Sequence, residues 1–309
     1  MRDPSGQNET ILETVGLSKK YGGVYAVKNV NMRIMRGDIY GFVGENGAGK
    51  TTVIRLITGL AAPTEGKFYL FGEENDHALK SRRIAGIVET VSLNKSMTAL
   101  ENLRYQCLIC GANKKDDELM KILETVGLDP MAAVKRKVRH FSLGMRQRLG
   151  IASVIVQDPE FVLLDEPMNG LDPHGIIEMR ETILRLNAQG ITFLISSHIL
   201  SELDRVCNRI GFISKGELLE EVSVEEIHSQ SGTRIIAEFP GPEEASKAAG
   251  VFSGYPIGAF CALEENTVLI AGDQDINEVM EILVKEHIKV SLLTVKEITL
   301  EDYYLNKVR

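Results

Sequence analysis

The 309 residues contain no run of 18 or more consecutive apolar residues, so no segment reads as a membrane-spanning helix. The opening MRDPSGQNET is polar and lacks the apolar stretch of a secretory leader. Only four cysteines occur, without a regular framework, which suits a reducing cytoplasm rather than a disulfide-stapled secreted domain. Cys107 and Cys110 stand C-x-x-C, but no second pair or histidine set accompanies them. They read as apolar positions in a helical stretch, not as metal ligands. An excess of basic residues is missing too. The net charge is −8, which argues against a nucleic-acid partner. No internal repeat, low-complexity tract or heptad tract is present. The composition, 44% hydrophobic and 25% charged, is that of a folded protein, and the length allows one large domain with a smaller one.

Short apolar runs alternate with helix-like segments: YGFVG (40–44), AGIVE (85–89), FVLLD (161–165), TFLIS (192–196) and RIGFIS (209–214). Nearly continuous apolar strands of this kind predict a mainly parallel sheet covered on both faces, an α/β core. Between about residues 95 and 155 the pattern turns helical, through ALENLRYQCLIC, DDELMKILETVGL and the segment after FSLG. Polar residues in EEIHSQSGTR mark a boundary. Beyond it TRIIAEFP, NTVLIAG and KVSLLTV read as strands and INEVMEILVKEH as a helix with one apolar face. The expected organisation is a polar tail over 1–10, a main domain over 11–230 with a helical insertion, and an accessory α+β domain over 231–309.

GENGAGKTT fits G-x-x-x-x-G-K-[ST], with Gly44, Gly49, Lys50 and Thr51 at the fixed positions and Glu45, Asn46, Gly47, Ala48 and Thr52 completing the loop. It follows the strand-like YGFV and opens the helical VIRLITGL, the context such a phosphate loop requires. Glycines let the backbone N–H groups converge on phosphate oxygens, while the helix N-terminus and Lys50 offset their charge. The Thr51 hydroxyl can hold Mg²⁺. FVLLDE ends in Asp165 and Glu166 at the carboxyl end of a buried strand, where α/β sheets bind ligands. Asp165 can hold Mg²⁺, directly or through water, and Glu166 can polarise the water that attacks a γ-phosphate.

Taken with FSLGMRQRLGIA (141–152), then NGLDP (169–173) and His198 after LISS, these motifs resemble the ATP-binding-cassette ATPases, in order and approximate spacing over roughly residues 10–225. The resemblance implies a P-loop ATPase core that uses ATP and Mg²⁺. It also implies that the signature turn, through Ser142 and the Gly144 backbone, closes over the γ-phosphate held by a second cassette packed head to tail. A hydroxyl, a backbone N–H and a helix N-terminus together make an anion site. The signature departs from L-S-G-G-Q at Phe141, Leu143 and Met145, while Ser142, Gly144, Gln147 and Arg148 match.

By the same resemblance Tyr21 stacks on adenine, with Tyr25 a nearby rival. Asp172 communicates across the dimer, and His198 contacts the γ-phosphate and supports the attacking water. Glu89 takes the place of a glutamine that contacts Mg²⁺ and senses the membrane partner. Glu89, FSLGM, GLDPHGI and LEDYYL are similar to the ATPase subunits of bacitracin- and lantibiotic-resistance exporters.

The expectation is a cytoplasmic subunit, peripheral on the inner face of the cell membrane. It would form a homodimer or a paired cassette and power a separate integral membrane permease. Other classes stay open: a soluble cassette acting on ribosomes or nucleic acid, an importer ATPase with a regulatory C-terminal domain, or a module that binds ATP without hydrolysing it. KRKVRH (135–140) reads as a solvated face ahead of the signature helix.

Overall fold

The computed structural model describes residues 9–74, 83–90, 92–231, 233–272, 274–297, 300–301 and 303–304. Residues 1–8 of the polar tail, and Asp302 and Leu305 of LEDYYL, lie outside the described residues. The chain divides into two compact units, Met1–Ser223 and Val224–Arg309.

The first unit opens with β1 (Thr10–Tyr21), β2 (Val24–Val30) and β3 (Arg33–Met35). The phosphate loop joins β4 (Ile39–Val43) to α1 (Lys50–Ile57), and β5 (Glu65–Leu70), β6 (Glu73–Glu74) and β7 (Ile84–Ile87) follow. A helical stretch comes next: α2 (Ala99–Cys110), α3 (Asp116–Thr125), α4 (Pro130–Lys135), a 3₁₀ turn at Val138–His140 and α5 (Leu143–Ile155). The chain then returns through β8 (Phe161–Asp165), α6 (Pro173–Asn187), β9 (Thr192–Ser197), α7 (Leu200–Leu203), β10 (Arg209–Ser214) and β11 (Glu217–Ser223).

Six strands form a sheet in the order β11-β10-β4-β9-β8-β7. Every neighbour pair is parallel except β10 with β11. The central strands β4, β8 and β9 are buried along their whole length, which is why their sequences show no polar alternation. A second, antiparallel sheet of five strands has the order β2-β1-β5-β6, with β3 also on β1. One core joins the two, running from Ile11, Leu17 and Val27 through Val53 and Ile54 of α1 to Phe42, Phe161 and Leu194. Burial of this apolar surface positions α1, and with it the phosphate loop, between the sheets. At the far edge the buried Tyr40 hydroxyl donates to Glu221 at 2.8 Å, and burial raises the Tyr40 pKa.

The second unit starts with α8 (Val224–Ser231), seven residues before the boundary expected at 230/231. Its EEIHSQS composition looks like a linker, yet Val224 and Ile227 are buried. The unit continues through β12 (Thr233–Glu238), α9 (Pro242–Phe252), β13 (Cys261–Glu264), β14 (Thr267–Ala271), α10 (Ile276–Lys285) and β15 (Leu292–Glu297). The sheet order β13-β14-β12-β15, with every pair antiparallel, makes a split βαββαβ arrangement. Its core joins Ile235, Ala237, Val268 and Ile270 to Ala245, Phe252, Val279 and Ile282 of the two helices. No helix among the described residues is long and apolar enough to cross a membrane.

Candidate functional site

The phosphate loop wraps the N-terminus of α1, capped by Gly49 at φ 111°. A Cβ at Gly49 would come within 2.7 Å of the Ala26 carbonyl, so both the backbone angle and the space require glycine. Lys50 is 6% exposed, and its ammonium donates to the carbonyls of Gly44 (2.6 Å) and Glu45 (3.2 Å). It also lies 3.3 Å from Glu166 Oε1. Thr51 Oγ1 donates to Asp165 Oδ2 at 2.9 Å, tying the start of α1 to the end of β8.

Glu166 turns out of β8 at φ 49°, a left-handed angle that a non-glycine residue holds only when its surroundings fix it. Its amide donates to the hydroxyl of Ser196 (2.9 Å) and its carboxylate lies 2.8 Å from His198 Nδ1. Ser196 in turn donates to Asp165 Oδ1 at 2.6 Å. One serine of β9 thus holds both acids of the pair. Glu166 and His198 line a cavity of about 400 Å³ with Glu45, Asn46, Gly47, Gly49, Lys50, Thr51 and Thr52. Gly44 and Ala48 serve from behind. Gly44 accepts from Lys50, and the Ala48 carbonyl accepts from Gly216 N (2.9 Å).

Ser142, Gly144 and Asp172 line a different cavity, of about 370 Å³. Ser142 caps α5 by accepting from Met145 N (3.2 Å), and Asp172 caps α6 by accepting from Gly175 N (2.9 Å). Helix α5 is anchored by Arg148, which donates to the Gly127 carbonyl (2.6 Å) and pairs with Glu178 (3.0 Å). Burial lowers the Arg148 pKa and Glu178 opposes that shift.

Glu89 joins neither set. The strand predicted over 85–89 ends at Ile87, and Glu89 lies in the following turn at φ 63°. Its carboxylate pairs with Arg55 at the last turn of α1 and lines a third cavity, of about 270 Å³, with Leu143, Arg146 and Gln147. Tyr21 ends β1, is 49% exposed and does not line the phosphate cavity. The rival Tyr25 is engaged elsewhere, its hydroxyl on Glu65 (3.1 Å) and its ring under Lys20.

The motif reading passed over Ala26, Asn169 and Ser196. Asn169 lines the phosphate cavity, and its amide donates to the Glu166 carbonyl at 3.1 Å. It stands first in NGLDP, three residues after Glu166, so its position in the acid turn was a usable signal. Ser196 hides in an apolar strand, and only its pairing opposite Asp165 exposes its role.

Residues 27–169 match the family model described as ABC transporter. The bacitracin transport ATP-binding protein BcrA of Bacillus licheniformis is 39% identical over 302 residues, 96% of each chain. The chain belongs to the ABC transporter family. The lantibiotic transport ATP-binding protein SrtF of Streptococcus pyogenes is 40% identical over 211 residues, 68% of this chain and 90% of SrtF. Among solved structures, the ATP-binding cassette MJ0796 in a dimeric post-hydrolysis state, bound to ADP and Pi, is 26% identical. Its TM-score is 0.61, covering 69% of this chain and 99% of that one. The chain is therefore an ABC transporter ATPase subunit, which binds ATP and hydrolyses it.

Proposed function

We propose that this ABC subunit powers export through a separate membrane permease, and that two cassettes close head to tail over two ATP molecules. The observation that carries the reading is the split of the site. The groups suited to grip a nucleotide line one cavity, while Ser142, Gly144 and Asp172 line another. A second chain brings the missing half to each nucleotide, so ATP binding and association are coupled.

On nucleotide binding Lys50 turns from its own loop's carbonyls to the terminal phosphates, and the loop amides take the remaining oxygens. Mg²⁺ fits the residues present. Thr51 and Asp165 offer two hard oxygen donors side by side. No group of three or more His, Cys, Asp or Glu suited to a metal occurs among the described residues, as suits an ion held mainly by phosphate and water. The bound ion offsets phosphate charge. Glu166 accepts a hydrogen bond from the attacking water, and His198, 2.8 Å away, orients the carboxylate and reaches the γ-phosphate. Tyr21 stacks on adenine from the exposed end of β1.

The groove of Glu89, Leu143, Arg146 and Gln147 receives a cytoplasmic helix of the permease, which puts the subunit on the inner membrane face. The similarity to the bacitracin transport protein BcrA and the lantibiotic transport protein SrtF supports a peptide-antibiotic cargo. Purification of the chain from its native cells in mild detergent tests this. A single polytopic membrane protein in stoichiometric amount is expected. Ribosomal or DNA-associated proteins without a membrane subunit would overturn the transport reading and leave the ATPase standing.

A further inference from the structure

Several surface cations of this chain have an acidic partner. Lys20 pairs with Glu65, Lys28 with Glu217, Arg33 with Glu13, Lys67 with Glu74, Arg104 with Asp116 and Lys114 with Asp158. One patch concentrates cations without such a partner. Lys135, Arg136, Lys137 and Arg139 are all exposed. The backbone brings a fifth beside them, because Arg139 N donates to the Lys95 carbonyl at 3.0 Å and Val138 N to the Met97 carbonyl at 2.9 Å. None of these five cations forms an ion pair among the described residues. Of the carboxylates on the flanking turns, Glu101 offsets part of the Lys137 charge at a distance. Glu101 accepts from Thr98 N (2.7 Å), and Asp129 accepts from Met131 N (3.0 Å) and Ala132 N (3.3 Å).

The same patch carries apolar side chains in water. Met131 and Val134, one turn apart on α4, are 62% and 42% exposed, and Lys135 follows at once. Five exposed cations outside any ion pair among the described residues, in a chain of net charge −8, with the Arg136 and Arg139 side chains hydrogen-bonded to His140 and two outward apolar residues beside them, match the chemistry of an anionic bilayer surface. Phosphate headgroups satisfy the cations and the acyl boundary takes the apolar tips. Lys95 borders the groove assigned above to the permease helix, and the other four cations lie outside the three cavities described. The patch carries no Phe, Tyr or Trp side chain on which a nucleic-acid base would stack, and its one ring, His140, accepts from Arg139 Nε at 3.0 Å.

We propose that the Lys95, Lys135–Lys137 and Arg139 patch with Met131 and Val134 is a lipid-contact face that seats the subunit directly on anionic headgroups. This goes beyond the transporter reading because it requires no permease.

The test is co-sedimentation of the purified full chain with vesicles of phosphatidylcholine alone or with phosphatidylglycerol added. Binding is expected only to the anionic vesicles, and it weakens on raising salt from about 0.05 M to about 0.3 M as screening sets in. Each cation near such a surface contributes about 1 kcal/mol. The triple variant Lys135→Gln, Lys137→Gln, Arg139→Gln should therefore bind roughly 100-fold more weakly, and Lys135→Glu, Lys137→Glu, Arg139→Glu weaker still. Met131→Ser with Val134→Ser should lose several-fold at either salt concentration.

A control with Lys247→Glu, Lys289→Glu and Lys296→Glu changes net charge as much as the first charge reversal, at exposed sites of the second unit. It should bind as the parent does. All variants are compared for melting temperature and ATP affinity, and the neutral triple serves if charge reversal disturbs folding. Equal binding to both vesicle types, or equal loss in the control, would overturn the proposal. So would absence of vesicle binding combined with loss of membrane-subunit co-purification in the charge-reversed variant, which would make the patch a protein contact.

Discussion

Ser196→Ala is the most informative single change, because this hydroxyl serves both acids and reaches no solvent. Ser196 is fully buried, donates to Asp165 Oδ1 at 2.6 Å and accepts from Glu166 N at 2.9 Å. Removal leaves no orphan amide, since Glu166 N also reaches the Ser196 carbonyl at 3.2 Å. Asp165 keeps Thr51 on its other oxygen. The loss thus falls on one carboxylate oxygen, and a hydrogen bond to a charged group contributes about 1.5–3 kcal/mol.

If that bond holds Asp165 in position to receive Mg²⁺, its loss should raise the Mg²⁺ needed for half-maximal ATP turnover by about 10–100-fold. A fluorescent ATP analogue in EDTA should bind within about twofold of the parent, because Lys50 and the loop amides are untouched. The melting temperature should fall by a few degrees, on the order of 2–4 °C per kcal/mol. A Mg²⁺ dependence unchanged within about twofold, in a folded variant, would refute the positioning role of Ser196.

Three further outcomes follow from the same geometry. Glu166→Gln should slow ATP turnover by about 10²–10⁴-fold and accumulate an ATP-bound dimer by gel filtration; turnover at the parental rate would remove Glu166 from its role. Ser142→Arg should abolish turnover while the isolated chain binds ATP within about twofold, since Ser142 lies outside the phosphate cavity; collapse of that binding would refute the shared site. Arg83 and Arg36 hold the Glu160 carboxyl below its usual pKa. That stabilisation is complete above the unfolded value of about 4.3 and is lost as pH falls through the lower folded value. Urea unfolding of Glu160→Gln should show a deficit against the parent at neutral pH that narrows as pH drops below about 4.

The parallel core was legible because β4, β8 and β9 are buried on both faces and their sequences are continuous apolar runs. The antiparallel sheet was not read. In β1, TILETVGLSKKY mixes buried and half-buried positions irregularly and its register to β2 and β5 shifts, so no clean period of two survives. Strand β13 and helix α9 were missed for a related reason. CALE is short and mostly exposed, and PEEASKAAGVF is rich in small residues whose burial shows only once Ala245 and Ala248 meet the sheet. Site residues inside motifs were legible from spacing. Ser196, a polar residue in an apolar strand, needed the β8–β9 register to give it a partner.

Glu89 is where the sequence expectation and the geometry diverge, and the divergence is measurable. A strand running to residue 89 would have set this carboxylate at a strand end, as Asp165 is set. The strand stops two residues earlier and the turn directs Glu89 to Arg55 instead. Arg55 lies five residues after Lys50 on α1, so the helix that grips phosphate at one end holds the groove acid about 7.5 Å along its axis. Both partners of the pair are more than a third exposed, which limits its contribution to under about 1 kcal/mol. Glu89→Gln keeps an acceptor for Arg55 and should leave the melting temperature within about 2 °C. The Mg²⁺ dependence of the isolated chain should stay within about twofold, because Thr51 and Asp165 supply its oxygens without Glu89. A tenfold rise in the Mg²⁺ required would mean that Glu89 reaches the ion in the closed dimer, with the Arg55 pair as the resting contact it leaves.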